Sequence, residues 1–170
     1  MSIIANTTIV SNFAAIDHLH LLATRFDTLY ISDQVYEEIQ LGFRQGYDFY
    51  SGLDQQIYPF NSNGWLCLTA LNGSGEFETF GELLGTLHSG EASSLSIAYH
   101  RGWTFLTDDK AARKTGKALG ISISGTLGVL LSLVKDNLVS LQTADVALQQ
   151  MIKTGYYSPV ISLHQIINKN

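Results

Sequence analysis

The chain has 170 residues, 45% of them hydrophobic and 15% charged, enough for one domain, residues 1–170, to close around a full core. A net charge of −5 argues against a general nucleic-acid coat protein while leaving room for a local cationic groove. Cys67 stands alone, which excludes an intrachain disulfide, and residues 1–9 lack the basic start of an export signal, so a soluble protein of a reducing cytoplasm is expected.

The greasiest run, residues 126–134, falls short of the roughly 20 residues of a membrane helix. No membrane partner is expected. From the N-terminus, residues 2–10 are β-branched and apolar and predict a buried first strand, with Asn6 and Thr8 as its polar exceptions. Residues 12–23 predict a helical pair, with Phe13, Ile16, Leu19 and Leu22 at core spacing. A short strand over 28–31 follows. Ser32 or Asp33 then caps a helix through Phe43, in which Glu38 lies beside the apolar face of Val35, Ile39 and Phe43.

Residues 45–64 hold four glycines or prolines and five aromatics, and predict either a lid or a short helix over the core. Residues 66–71 read as a strand, 72–75 as a turn and 77–87 as a helix. The central stretch runs from Gly90 to Thr126. It predicts a helix over 92–101, a strand over 103–106, a charged turn at Thr107-Asp108-Asp109-Lys110, a helix over 111–119 and a strand over 121–123. An apolar helix over 127–134 and two more over 143–154 and 158–167 complete the chain. Strands alternating with helices argue for the α/β class, with a parallel sheet covered on both faces.

The residues able to carry chemistry are acids at the starts of helices. Glu91 opens one helix, and Asp108 and Asp109 leave a strand; ligands bind at strand ends of this kind in open parallel sheets. Each has an ordinary reading too. Glu91 suits the positive end of a helix dipole, Asp108 or Asp109 is a good N-cap, and Glu38 could face solvent. Lys110, Arg113, Lys114 and Lys117 fall at i, i+3, i+4 and i+7, one stripe carrying four of the ten basic residues. That stripe either guides phosphates or simply keeps its helix in water. The five histidines are scattered and give no zinc pattern.

Several stretches, in order, resemble the PIN-domain family of metal-dependent nucleases, in the small prokaryotic branch described as toxin-like or predicted nucleic-acid-binding. They are residues 4–14 (Ile-Ala-Asn-Thr-Thr-Ile-Val-Ser-Asn-Phe-Ala), Val35-Tyr36-Glu37-Glu38-Ile39, Gly90-Glu91-Ala92, residues 106–113 (Leu-Thr-Asp-Asp-Lys-Ala-Ala-Arg) and Gly125-Thr126-Leu127-Gly128. The resemblance implies a three-layer α/β/α sandwich around a parallel sheet of four to five strands. It implies strand-end acids that hold Mg²⁺ or Mn²⁺ and cleave single-stranded RNA. Carried over by motif, those acids are Glu38, Glu91 and Asp109, with Asp108 as neighbour or substitute, and with Thr8 and Thr126 as supporting polar residues. The family's first acid falls on Asn6, an amide that can still ligate a hard cation but brings no charge.

Two functions compete on this reading. One is a metal-dependent endoribonuclease, weakened at Asn6, as the toxin of a toxin–antitoxin pair with an antitoxin protein as partner. The other is a catalytically degenerate relative that binds nucleic acid or a protein partner. A phosphatase using the same metal chemistry ranks below both. Family members commonly dimerise, which implies a homodimer through the last two helices or residues 127–134.

Overall fold

A computed structural model describes residues 2–167; Met1 and residues 168–170 of the expected single domain lie outside the described residues. Six short strands form one sheet: β1 Ile3–Ala5, β2 Leu29–Ser32, β3 Ile57–Tyr58, β4 Leu66–Thr69, β5 Thr104–Leu106 and β6 Ile123–Ser124. Their order is β3-β4-β2-β1-β5-β6, and every pairing is parallel. All the carboxyl ends therefore open on one edge. The order reverses at β1, with β2 on one side and β5 on the other, which places a ligand crevice beyond these strand ends.

Successive strand residues face opposite layers, as the pleat requires. Ile4, Tyr30 and Phe105 pack into a cluster with Leu83, Leu95 and Ala112. These come from α4 Ser74–Leu83, α5 Ser89–Arg101 and α6 Lys110–Ala118. Ala5, Leu29, Ile31 and Leu106 pack the other way, into a cluster with Ile9, Leu22, Leu130 and Leu148. The helices there are α1 Thr7–Ala14, α2 Leu19–Arg25, α7 Thr126–Lys135 and α8 Leu141–Lys153, while α3 Asp33–Arg44 adds Val35 and Ile39. The result is the expected three-layer sandwich, with one strand more than expected.

The extra strand is β3. Residues 45–64 form two short 3₁₀ helices over the core, Asp48–Tyr50 and Leu53–Gln56, followed by that edge strand. Tyr50, Leu53 and Ile57 anchor the stretch to the core. The return into β4 passes so close that a Cβ on Gly64 would lie 2.3 Å from the Tyr58 amide nitrogen.

Two expectations on element type are corrected. The first strand ends at Ala5, and Thr7 onward is helix despite its β-branched residues. Ile9, Val10, Phe13 and Ala14 fall at helical spacing and are all buried, so packing overrides strand propensity. Residues 158–167 are not one helix: after Gly155 and Pro159 only His164–Ile167 (α9) is helical. Asp145 holds this tail by accepting from the Leu163 amide at 2.6 Å and the Ser162 hydroxyl at 3.1 Å. The apolar face of 127–134 is occupied by the core through Val129, Leu130 and Leu133. Leu127, Leu131 and Val134 on the same helix are only partly buried. Among the described residues no helix is long and apolar enough to cross a membrane.

Candidate functional site

The ends of β1 and β5 meet the starts of α5 and α6 at the open edge. Asn6 follows β1 in extended backbone and is 1% exposed. Its amide donates to the Thr107 hydroxyl beyond β5 at 2.8 Å and accepts from the Thr8 hydroxyl at 2.7 Å. Thr107 Oγ1 also accepts from the Asp109 amide at 3.1 Å. One buried hydroxyl thus ties the position of the missing first acid to the position of Asp109.

Asp109 is the N-cap of α6, its Oδ1 accepting from the Ala112 amide at 2.7 Å. Glu91 sits in the first turn of α5 and accepts from the His88 amide at 3.1 Å. Glu38 reaches from α3 to the same helix start, where its Oε1 accepts from the Gly90 amide at 2.8 Å. Its Oε2 accepts from the Thr7 hydroxyl. The contact leaves no room for a side chain at residue 90, since a Cβ there would lie 2.6 Å from Glu38 Oε2.

These acids act on one another. Burial pushes the Glu91 carboxyl above the usual glutamate range, and the charges of Asp109 and, more weakly, Glu38 push it further. The His88 amide opposes the shift. No Lys or Arg forms an ion pair with Glu38, Glu91 or Asp109 among the described residues. Nor do any three His, Cys, Asp or Glu side chains among them gather closely enough to hold an ion as they stand. Without a counter-charge, each of the three accepts from a backbone amide instead. The donor set suits a hard divalent cation, being all oxygen and short of positive charge. Glu91 and Asp109 each spend one oxygen on a backbone amide, and no protein donor to the other is found among the described residues. Glu91, Asp109 and Glu38, with the Asn6 amide, are the residues that would hold such an ion.

Asp108 has different surroundings. It accepts from the Thr126 amide at 2.9 Å, from the Thr126 hydroxyl, from Asn12 Nδ2 at 3.0 Å and from the Tyr156 hydroxyl at 3.5 Å. Burial and the Asp108 charge together hold the Tyr156 phenol well above its usual range. Asp108 is the joint between β5, α1, α7 and the tail. Thr126 is bound to it, and Thr8 accepts from the Asp108 amide at 3.5 Å.

The basic stripe is brought together with this joint. Lys110, Arg113, Lys114 and Lys117 line one groove with Asp108, Gly125 and Tyr156. Arg113 is anchored, donating from Nη1 to the carbonyls of Thr107 at 2.8 Å and Ser124 at 3.0 Å. Sequence reasoning missed Asn12, Thr107 and the Gly90 amide as parts of this site. The first two are ordinary polar residues by spacing, and the third contacts Glu38 across 52 positions of the chain.

The chain matches the family model DUF3368, described as a PIN domain, over residues 2–170. No curated protein matches it. Among solved structures, it is similar to a PilT N-terminus domain protein from the hyperthermophilic archaeon Sulfolobus solfataricus P2. That likeness has a TM-score of 0.52 and 16% sequence identity, covering 78% of this chain and 92% of that one. At such identity the likeness speaks for the fold alone. The family match, by contrast, runs almost end to end and takes in every acid at the open edge. On that evidence the chain belongs to the PIN-domain family.

Proposed function

We propose that the protein is a metal-dependent endoribonuclease that cleaves single-stranded RNA, working below the family's usual strength because Asn6 replaces an acid. The observation that carries this reading is the Glu91 carboxyl, held above its usual range by burial and by Asp109 and Glu38 with no basic side chain paired to it. PIN domains are generally nucleases that use divalent metals. A bound Mg²⁺ or Mn²⁺ supplies an activated water and neutralises charge building on the attacked phosphate. Glu91 and Asp109 would hold it, with Glu38, itself fixed by the Gly90 amide and the Thr7 hydroxyl, as a further carboxylate and Asn6 as an uncharged oxygen donor. The lysines of α6 bring the phosphate chain alongside. The test is Mn²⁺-dependent cleavage of a single-stranded RNA by wild type and D109N. If both are equally inert, the enzyme reading fails.

A second reading, a degenerate member that binds nucleic acid or a protein partner, draws on one observation. Both ends of the Asn6 amide are already engaged, by Thr8 and by Thr107. Cleavage that appears only in N6D favours it. The toxin role rests on the family likeness, and it predicts a neighbouring antitoxin-like reading frame whose product suppresses the activity. A homodimer would use the tail, where Ile161 is exposed, or the partly buried apolar residues of α7. A monomeric mass at micromolar concentration in light scattering counts against it.

A further inference from the structure

We propose that the groove between α6 and the tail is a stacking subsite for single-stranded nucleic acid, with Tyr157 as the platform on which a base lies. This rests on the ribonuclease reading for the identity of the substrate, but the groove stands on its own geometry. It encloses about 710 Å³ and is lined on one side by Lys110, Arg113, Lys114 and Lys117 and on the other by Tyr156, Tyr157 and Pro159. In a chain of net charge −5 with ten basic residues, four line this one groove. The occupant it fits is therefore a polyanion.

The opposite wall says what kind. Tyr157 is 93% exposed, the most exposed large hydrophobic side chain among the described residues. Its neighbour Tyr156 is half-buried, with its hydroxyl on Asp108 and its amide donating to the Met151 carbonyl at 2.9 Å. That anchor fixes the segment carrying the exposed ring across from the lysines. An aromatic face opposite a row of cations is the arrangement that grips a single strand, stacking a base while ammonium groups follow the backbone. Paired bases in a duplex offer no free face to such a ring. Asp108 lines the groove and precedes Asp109 in the chain, so the groove lies beside the end of β5.

The experiment is fluorescence anisotropy of labelled short oligoadenylate, and of an abasic phosphodiester of equal length, in EDTA so that no cleavage intervenes. Tyr157 is a surface residue, so Y157A keeps the fold. It should weaken oligoadenylate binding about tenfold and leave the abasic strand unaffected, while Y157F should bind like wild type. The pair K114Q/K117Q should weaken both ligands and flatten the salt dependence by about 1.4 in log–log slope, roughly 0.7 per lost phosphate contact. Unchanged oligoadenylate binding by Y157A, or an equal loss on the abasic strand, overturns the proposal. Wild type that binds through Tyr157 yet never cleaves RNA overturns the nuclease reading alone. A cleaving wild type whose Y157A twin binds alike overturns this subsite alone.

Discussion

Asn6 donates its amide to the Thr107 hydroxyl at 2.8 Å, joining the end of β1 to the end of β5 beneath the acidic edge. Its other amide atom is met by the Thr8 hydroxyl at 2.7 Å. Both neighbours are hydroxyls, and a hydroxyl can rotate to donate or accept. A carboxylate at residue 6 would therefore find two donors without any repacking. N6D should fold, bind Mn²⁺ more tightly than wild type and cleave faster. Without metal it adds another negative charge near Asp109, costing about 1 kcal/mol or roughly 3 °C in Tm, and saturating Mn²⁺ should restore the loss. Thermal melts with and without Mn²⁺ check this; a metal-independent Tm counts against it.

Asp108 and Asp109 are adjacent in sequence and separable by experiment. Asn caps helices about as well as Asp, so D109N should stay within about 0.5 kcal/mol of wild type. It should lose cleavage by on the order of 10²-fold or more, the several kcal/mol a metal contributes. D108N sets a donor amide against Asn12 Nδ2 and weakens the hold on Thr126, costing about 1–2 kcal/mol in denaturant unfolding. The two variants should differ in kind. Equal activity losses at equal stability would contradict the division of roles.

Gly90 lies against Glu38, so G90A tests whether that carboxylate must hold its place. The added methyl, 2.6 Å from Glu38 Oε2, drives it off the residue 90 amide. The expected cost is about 1–2 kcal/mol together with a clear loss of Mn²⁺ affinity. A variant as stable and as tight for Mn²⁺ as wild type rejects that role.

Two glutamates give the stability profile opposite slopes. Hydrogen bonding from Arg101 holds the Glu76 carboxyl below its ordinary value of 4.5. Its contribution is present above that value and is lost as pH falls through the lower folded-state value. Glu91 is raised from 4.5, so it binds its proton more tightly in the folded state. Its penalty is absent below 4.5 and grows as pH rises through the higher folded-state value. In urea unfolding from about pH 3 to about pH 7, E76Q should flatten the acid limb and lower the plateau. E91Q should flatten the decline toward neutrality, raising the urea midpoint there. An unchanged profile in E91Q would show that the acids do not repel one another.

The α/β class, the order of the central elements and the placement of Glu91 and Asp109 at helix starts were legible because each depends on local pattern. Gly102 and Gly120 mark helix ends, and Asp109 precedes its helix as a cap should. What failed depended on tertiary context. Thr7 to Val10 look like strand and become helix because Ile9, Val10 and Phe13 are buried together. The two residues of β3 gain strand identity only by pairing with Leu66 and Cys67. The partners of Asp108 were hidden for the same reason, since Asn12, Thr126 and Tyr156 reach it from 18 to 96 positions away.

Whether Glu91 and Asp109 share one divalent ion is decided by a Mn²⁺ titration followed by electron paramagnetic resonance. Wild type should bind one Mn²⁺ in the millimolar range or tighter, with affinity reduced about tenfold or more in both E91Q and D109N. No bound Mn²⁺ at millimolar concentration, or binding that neither substitution changes, would contradict a shared ion.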